Sequence, residues 1–286
     1  SSTSSSPATP ASQEAAQTLA AAIESGKIDV PVLPETAHRV ITLIQDPDSD
    51  ASQLSSIIQS DPTMVGHIMR IANSVAYTPN ANLISVQQAV ARLGMVEISN
   101  IAFSTSLNGK MFNAPGYEND IHLIWLHALA TALWSKEVAR SMRSNVEAAF
   151  LCGLLHSIGQ PVILQTLADG KTGATALTDN ELTQLYKQFE QGYADAVVKE
   201  WGLPAIVCEA IKYYQHFADA PGEPELAATI AFGHQLAHLM LHPEHTEKDS
   251  IIHSPALELI NLYPDEVEAL IEKTPSIHTA MDTLLS

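Results

Sequence analysis

The sequence predicts an all-α protein in which an N-terminal helical bundle packs on a second helical bundle. Apolar residues recur at the spacing of amphipathic helices through most of the chain, and no credible strand pattern interrupts them. Signals for helix starts and stops follow one another at short intervals, which favours packed antiparallel helices over alternating strands and helices. With 286 residues, 46% of them hydrophobic, the chain can bury a substantial core.

The N-terminus differs in composition from the rest of the chain. Residues 1–12 read SSTSSSPATPAS and include no large apolar side chain. Burial therefore cannot offset the entropy lost on ordering them, and we expect a disordered tail or linker. Residues 13–25 predict an alanine-rich helix that ends at Gly26.

Short helices fill the next part of the chain, from residue 35 onward. Gly94 follows an apolar stripe and indicates a helix stop. Three helix starts are indicated by residue pairs with capping spacing or by a cap followed by proline: Asp50 with Gln53, Ser85 with Gln88, and Asp61 with Pro62. We assign residues 13–109 to an N-terminal helical subdomain.

An internal boundary is predicted at residues 109–119, which contain two glycines and a proline. We assign residues 117–286 to a second helical subdomain with short C-terminal helices. Its longer helices are predicted at 121–140, 181–201, 205–214 and 225–241.

The strongest apolar stripe lies at residues 147–161, EAAFLCGLLHSIGQP. Gly159 followed by Pro161 predicts the end of this helix, which would place His156 near its terminus. The stripe has the period of a helix face and consists of Phe150, Leu151, Leu154, Leu155 and Ile158.

LLHSIGQ in this helix resembles LLHDIGK, the signature of the HD-superfamily phosphohydrolases, in which the histidine and the aspartate hold a metal ion. His156 matches the histidine, but Ser157 replaces the aspartate and Gln160 replaces the lysine. A neutral hydroxyl is a poor substitute for a carboxylate as a ligand to a hard or borderline cation. The signature is therefore degenerate in its chemistry.

Several further blocks resemble the HDOD domain, a bacterial signalling module related to the HD hydrolases. They are VLPETAHRVITLIQDPDSD, SDPTMVGHIMRIANS and ISVQQAVARLGMVEISNIA, and the match extends over residues 31–215. The resemblance implies a non-catalytic module that acts through contacts with signalling or regulatory proteins, in pathways that include those using cyclic di-GMP. The rival interpretation is a metal-dependent phosphohydrolase acting on a phosphoester or nucleotide.

The resemblance also implies which residues remain of a metal site. His127 belongs to a W-x-H block, and His234 lies about where a later aspartate is expected, while Tyr214 and Gln215 replace a histidine pair. Three interpretations of His127, His156 and His234 stay open: hydrogen-bonded remnants in the core, a structural or adventitious metal site, and a hydrolytic centre. No catalytic residue is assigned and no cofactor is expected, although a residual divalent metal is left open.

Composition and charge bear on partners and location. The formal net charge of −18 opposes contacts with phosphate backbones and anionic lipid, so we expect neither a nucleic-acid nor a membrane partner. No apolar run long enough for a membrane span and no secretory signal are evident, which predicts a cytoplasmic protein. Cys152 and Cys208 lie in apolar helical patterns and are predicted to be core residues. The sequence specifies no oligomeric state.

Overall fold

In a computed structural model, residues 8–80, 82–107, 109–170 and 177–286 are described, and within these ranges the regular structure is helical, with no strand. The predicted all-α class is confirmed. The helices are α1 (Pro10–Ser25), α2 (Glu35–Ile44), α3 (Ala51–Gln59), α4 (Pro62–Ala72), α5 (Val86–Leu93), α6 (Met95–Ser106), α7 (Glu118–Ser141), α8 (Val146–Leu155), α9 (Gly159–Asp169), α10 (Asp179–Trp201), α11 (Ala205–Tyr213), α12 (Pro224–Leu241), α13 (Lys248–Ile252), α14 (Ala256–Ile260), α15 (Pro264–Ile271) and α16 (Thr274–Leu285).

Contacts group the chain into two units, and neither unit is one continuous segment. The first unit contains Ser1–Val32, Gly109–Trp125 and Ser157–Gly202, and the second contains Leu33–Asn108, Leu126–His156 and Leu203–Ser286. The switch between residues 108 and 109 falls where the sequence predicts an internal boundary. The units otherwise differ from the predicted subdomains, because α1 packs on α9 and α10 although they are far away in sequence.

In the first unit, buried polar side chains join α1 and the segment after it to α10. The hydroxyl of Tyr193 donates a hydrogen bond to the Leu19 carbonyl oxygen at 3.1 Å. The indole nitrogen of Trp201 donates to the Pro31 carbonyl oxygen at 2.7 Å. Each aromatic ring is buried while its polar atom is satisfied, so burial costs no unpaired donor.

The second unit has a core built by α2 to α6, including the fully buried side chains of Leu54, Ile58, Ile68 and Ile98. The predicted helix starts lie where the sequence indicates. The Asp50 carboxylate accepts from the Gln53 amide at 2.8 Å while the Gln53 side chain accepts from the Asp50 amide at 2.9 Å, which completes a capping box. The pair at Ser85 forms only half of one, because the Gln88 side chain accepts from the amide of Ile84 instead.

The first helix begins three residues earlier than predicted. Residues 1–7 of the predicted tail lie outside the described residues, but Pro10, Ala11 and Ser12 belong to α1. The hydroxyl of Thr9 accepts a hydrogen bond from the Ser12 amide at 3.2 Å, and Pro10 occupies the first helical position. A threonine cap followed by proline is a helix-start signal that composition alone conceals.

The predicted helix over residues 147–161 is in fact two helices. α8 ends at Leu155, a turn covers residues 156–158, and α9 begins at Gly159. Gly159 therefore starts a helix instead of ending one, and Pro161 lies in the first turn, where a missing amide is tolerated. A Cβ on Gly159 would lie 2.5 Å from the Glu190 carbonyl oxygen, so glycine permits the close approach of α10 to α9.

The expectation that no apolar run is long enough for a membrane span is wrong for residues Val146–Asp169. By length and composition alone, this stretch is apolar enough to cross a membrane, although the sequence analysis expected none. In the structure 83% of its most apolar window is buried by the rest of the protein, as in the core helix of a globular protein. Cys152 is buried as expected, whereas Cys208 is only half-buried.

Candidate functional site

The second unit brings together three histidines that are far apart in sequence. His127 lies on α7, His156 caps the C-terminus of α8, and His234 lies on α12. One potential ligand atom from each lies within 4.8 Å of the others. The closest measured pair, Nε2 of His156 and Nδ1 of His234, is 3.2 Å apart. We refer to these three residues as the imidazole cluster.

Two glycines let the three helices approach closely enough to form this cluster. A Cβ on Gly153 of α8 would lie 2.8 Å from the Cα of Ala132 on α7. A Cβ on Gly233 of α12 would lie 3.0 Å from the backbone nitrogen of Ser135, also on α7. Any larger residue would push the backbones apart, so the glycines bring His156 and His234 towards His127.

Hydrogen bonds fix the proton position on two of the rings. Nδ1 of His156 lies 2.6 Å from the Gly153 carbonyl oxygen, which can only accept, so this nitrogen carries the proton. The Thr131 hydroxyl donates to the carbonyl oxygen of His127 at 2.7 Å and can therefore only accept from Nδ1 of His127, 3.4 Å away. In both neutral rings Nε2 is therefore unprotonated, and Nε2 of His156 can accept a hydrogen bond from Nδ1 of His234.

Burial keeps the cluster uncharged at neutral pH. Loss of hydration and, after it, the neighbouring histidines lower the pKa of His127 and of His234 to about 3. For His156, burial lowers the pKa to about 4 against the opposing contact with Gly153. The three rings are thus neutral nitrogen donors under physiological conditions.

Two more histidines extend the cluster along α12 towards the surface. His238 follows His234 by one turn and is exposed, and its ring centroid is 6.0 Å from that of His127. The ring of His242 lies 5.1 Å from that of His238. His234 is half-buried and His238 is exposed, because one turn of helix leads from the core to solvent.

Tyr214 closes the cluster from α11's C-terminal end. Its ring packs edge-on against His156 with centroids 5.1 Å apart, and its hydroxyl accepts from Nε2 of Gln215 at 3.0 Å. Tyr214 and Gln215 are the residues that replace the family's histidine pair. Here an aromatic ring and an amide fill that place, and neither is a strong metal ligand.

The remainder of the signature belongs to the first unit. Ser157 is 7% exposed, and its carbonyl oxygen accepts from the Gln160 amide at 3.0 Å. The Gln160 side chain donates to a carboxylate oxygen of Glu190 at 3.3 Å. Burial raises the pKa of Glu190 to about 7, although the contact with Gln160 opposes the shift.

The sequence therefore identifies all three members of the cluster but misses His242, which lies near it, and Glu190, which pairs with Gln160 in the first unit. Motif alignment predicts that His127, His156 and His234 belong together, and the geometry agrees. His242 gave a signal in its spacing of eight residues from His234, although it follows the last residue of α12 and is not on the helix itself. Glu190 gave none, because a glutamate on a polar helix is normally solvated and only the packing of α9 against α10 buries it.

The family model of the HDOD domain matches residues 30–217. A curated relative, an uncharacterized protein of Treponema pallidum (strain Nichols), is 23% identical over an alignment of 224 residues that covers 75% of this chain. The chain spans only 43% of that relative's length.

Three solved structures share the fold. An HDOD domain protein from Geobacter sulfurreducens has a TM-score of 0.77 and 21% identity, covering 95% of this chain and 99% of its own. A candidate metal-dependent phosphohydrolase from Shewanella amazonensis SB2B has a TM-score of 0.70 and 19% identity, with coverages of 96% and 100%. A candidate signal transduction protein from Marinobacter aquaeolei VT8 has a TM-score of 0.66 and 21% identity, with coverages of 96% and 66%.

At these identities the structural likenesses establish the fold and no activity. The family-model match is of a different kind, because it runs through the blocks that build α2 to α6 and through the degenerate signature up to α11. On that match, this chain is a member of the HDOD domain family.

Proposed function

We propose that this chain is a non-catalytic signalling module that acts through contacts with regulatory proteins. The observation that carries the proposal is the composition of the imidazole cluster. Among the residues that the structure describes, the group of ligand atoms within 4.8 Å contains three histidines and no carboxylate. In the HD signature an aspartate holds the metal ion beside the histidine, and Ser157 supplies no carboxylate in its place.

The donors of the cluster do not suit the divalent ion that the HD signature implies. Mg²⁺ and Mn²⁺ prefer oxygen ligands, and Mg²⁺ in particular requires near-octahedral oxygen coordination. Three neutral imidazoles supply neither the charge nor the oxygen atoms. The donor set therefore does not fit Mg²⁺ or Mn²⁺.

A surface segment of the second unit suits a protein contact. Val75 and Ile84, between α4 and α5, are 76% and 78% exposed. The Asn73 side chain holds the segment's ends together, since its amide donates to the Leu83 carbonyl oxygen at 2.9 Å and its oxygen accepts from the Leu83 amide at 2.7 Å. Exposed apolar side chains on a held loop are typical of interaction sites.

The absence of catalysis can be tested directly. Purified protein, supplied in turn with Mn²⁺, Mg²⁺ and Zn²⁺, is assayed for hydrolysis of cyclic di-GMP and of a generic phosphodiester and phosphomonoester. We expect no turnover above background. Turnover that is lost in His156→Ala and retained in His278→Ala, a matched exposed histidine, would support the phosphohydrolase instead.

The protein-contact part of the proposal has its own test. Bait proteins carrying Val75→Glu with Ile84→Glu are compared with wild type in pull-downs from a bacterial extract, with mass spectrometry of the retained proteins. We expect the double variant to lose the specific partners, because two charges would be buried on association. Val32→Glu, at an 86% exposed apolar position elsewhere, is the control and should retain them.

A further inference from the structure

Three structural features of the imidazole cluster point to a ligand different from the one that the HD signature implies. The first is the donor set itself, which holds only imidazole nitrogens. Imidazole suits zinc, nickel, cobalt and copper, whereas carboxylate and water suit magnesium and manganese. The replacement of aspartate by Ser157 thus changes which ions the cluster selects, and need not abolish binding.

The second feature is the geometry of the two closest nitrogens. With Zn–N distances of about 2.0–2.1 Å, two ligands of a tetrahedral ion lie about 3.3 Å apart. Nε2 of His156 and Nδ1 of His234 are 3.2 Å apart, which already matches this separation. All three ligand atoms lie within 4.8 Å of one another, so no pair needs to close by more than roughly 1.5 Å. Rotation of the half-buried His127 ring can supply that movement.

The third feature is the set of hydrogen bonds behind the rings. Metal-binding histidines commonly donate their other nitrogen to a backbone carbonyl or similar acceptor, which fixes the tautomer and raises ligand basicity. Nδ1 of His156 donates to the Gly153 carbonyl oxygen and Nδ1 of His127 faces the Thr131 hydroxyl. Nε2 is thus the unprotonated nitrogen of both rings, and an ion would replace the hydrogen bond between Nε2 of His156 and Nδ1 of His234. His234 would bind through Nδ1, with its proton on Nε2.

We propose that His127, His156 and His234 form a three-imidazole site for one transition-metal ion, selective for Zn²⁺ or Co²⁺ over Mg²⁺ and Mn²⁺. Water completes the tetrahedral coordination. His238 and His242 provide the approach from solvent, because the ring of exposed His238 lies between those of His127 and His242 at the C-terminal end of α12. That the bound ion is a ligand of the module and not a catalyst rests on the proposed function.

The site is tested by titrating the EDTA-treated full chain with each ion. We expect calorimetry to give one Zn²⁺ or Co²⁺ per chain, and bound Co²⁺ to give the intense visible absorption of tetrahedral coordination. Mg²⁺ and Mn²⁺ should not compete. His127→Ala and His234→Ala should each weaken binding by about 100-fold or more, since each removes a direct ligand. His278→Ala should bind as wild type does.

Variants that retain the shape of the ring pocket guard against loss of folding. His127→Gln and His234→Gln, checked by circular dichroism, should weaken Zn²⁺ binding as the alanine variants do. Saturable binding that is equal in wild type and in these variants, or binding with no preference over Mg²⁺, would overturn the proposal. So would the absence of any Zn²⁺ binding.

The approach from solvent has a kinetic signature. His238→Ala with His242→Ala should slow the loading of Co²⁺ and leave the equilibrium affinity unchanged within about 3-fold. An unchanged loading rate would remove these two residues from the proposal. Metal binding without hydrolysis leaves the proposed function standing, whereas hydrolysis by the loaded protein would overturn that function and retain the site.

Discussion

Residues 156–160, HSIGQ, contribute to two different polar sites. His156 belongs to the imidazole cluster of the second unit, and Gln160 pairs with Glu190 in the first unit. Burial acts on both, but it lowers the pKa of the histidines and raises the pKa of Glu190. The reason is that burial disfavours whichever form is charged, the protonated imidazole in one case and the ionised carboxyl in the other. The two sites are therefore expected to respond to pH in opposite directions.

The largest expected effect is acid destabilisation through the imidazole cluster in metal-free protein. Because the folded pKa values of about 3 to 4 lie below the unfolded value of about 6.5, the unfolded state takes up protons first. The contribution of the neutral cluster to the free energy of unfolding is fully present above pH 6.5. It falls as pH drops towards the folded-state pKa values, by on the order of 5 kcal/mol at pH 4.5. Urea unfolding in EDTA across this range measures the loss.

Substitutions of the cluster histidines test whether these residues cause the dependence of the free energy of unfolding on pH. His127→Gln and His234→Gln should each reduce the proton uptake on unfolding by up to about one proton, while His278→Gln should leave it unchanged. Equal slopes in all three variants would show that the acid sensitivity arises elsewhere in the protein.

A smaller effect is expected where glycine permits helices to touch. Gly159→Ala would place a Cβ 2.5 Å from the Glu190 carbonyl oxygen, and Gly153→Ala would place one 2.8 Å from the Cα of Ala132. Because backbone atoms cannot rotate away, each change should lower the free energy of unfolding by about 1–3 kcal/mol. Chemical denaturation measures this loss.

Gly66→Ala is the matched control for both. Gly66 lies inside α4 with no atom within 4 Å of the added Cβ, so this change should raise stability by up to about 1 kcal/mol. If Gly159→Ala also stabilises the protein, the close approach of α9 and α10 is wrong.

The first unit should respond to pH with the opposite sign. The folded pKa of Glu190, about 7, lies above its usual 4.5, so the folded state holds the proton more tightly. The stabilisation of the folded state by protonated Glu190 is fully present below pH 4.5 and is lost as pH rises through about 7. Glu190→Gln, which keeps the hydrogen bond with Gln160, should stabilise the protein at pH 8 by about 1–3 kcal/mol and have little effect near pH 4.

Glu200→Gln, on the exposed side of the same helix, is the comparison for Glu190→Gln, and thermal unfolding at the two pH values is the measurement. The interpretation fails if both variants have equal, pH-independent effects.

The smallest effect is expected from restoring the aspartate that Ser157 replaces in the signature. Ser157→Asp alone should leave phosphoesterase activity at background, because one carboxylate does not restore the positions held by Tyr214 and Gln215. Hydrolysis assays with Mn²⁺ and Zn²⁺ measure this, with His156→Ala in the same background as control. Metal-dependent turnover in Ser157→Asp would show that the aspartate was the only ligand the site lacked.

Some of the local structure follows from residues a few positions apart. The capping box at Asp50 and the cap at Asp61 lie as predicted, because each depends on a side chain bonding an amide three residues later. The start of α1 was misplaced because Thr9 and Pro10 stand in a Ser- and Pro-rich run that composition alone assigns to a tail.

Gly159 shows the limit of such local rules. A glycine followed two residues later by a proline predicts a helix end, and the true reason for this glycine is the backbone of α10, more than 30 residues away. No local pattern contains that information, since the requirement for a missing Cβ is imposed by a packing partner.

By itself, the sequence determined the all-α class, most helix caps and the three histidines of the cluster, since periodicity, capping and motif alignment depend on residue order. Only the tertiary structure decided how the helices divide into two units, how closely the imidazole nitrogens approach, and that His156 and Gln160 enter different clusters. It also decided the pKa values of Glu190 and the histidines. Burial and separation are properties of neighbours in space, and the chain order does not specify which atoms displace water from a given side chain.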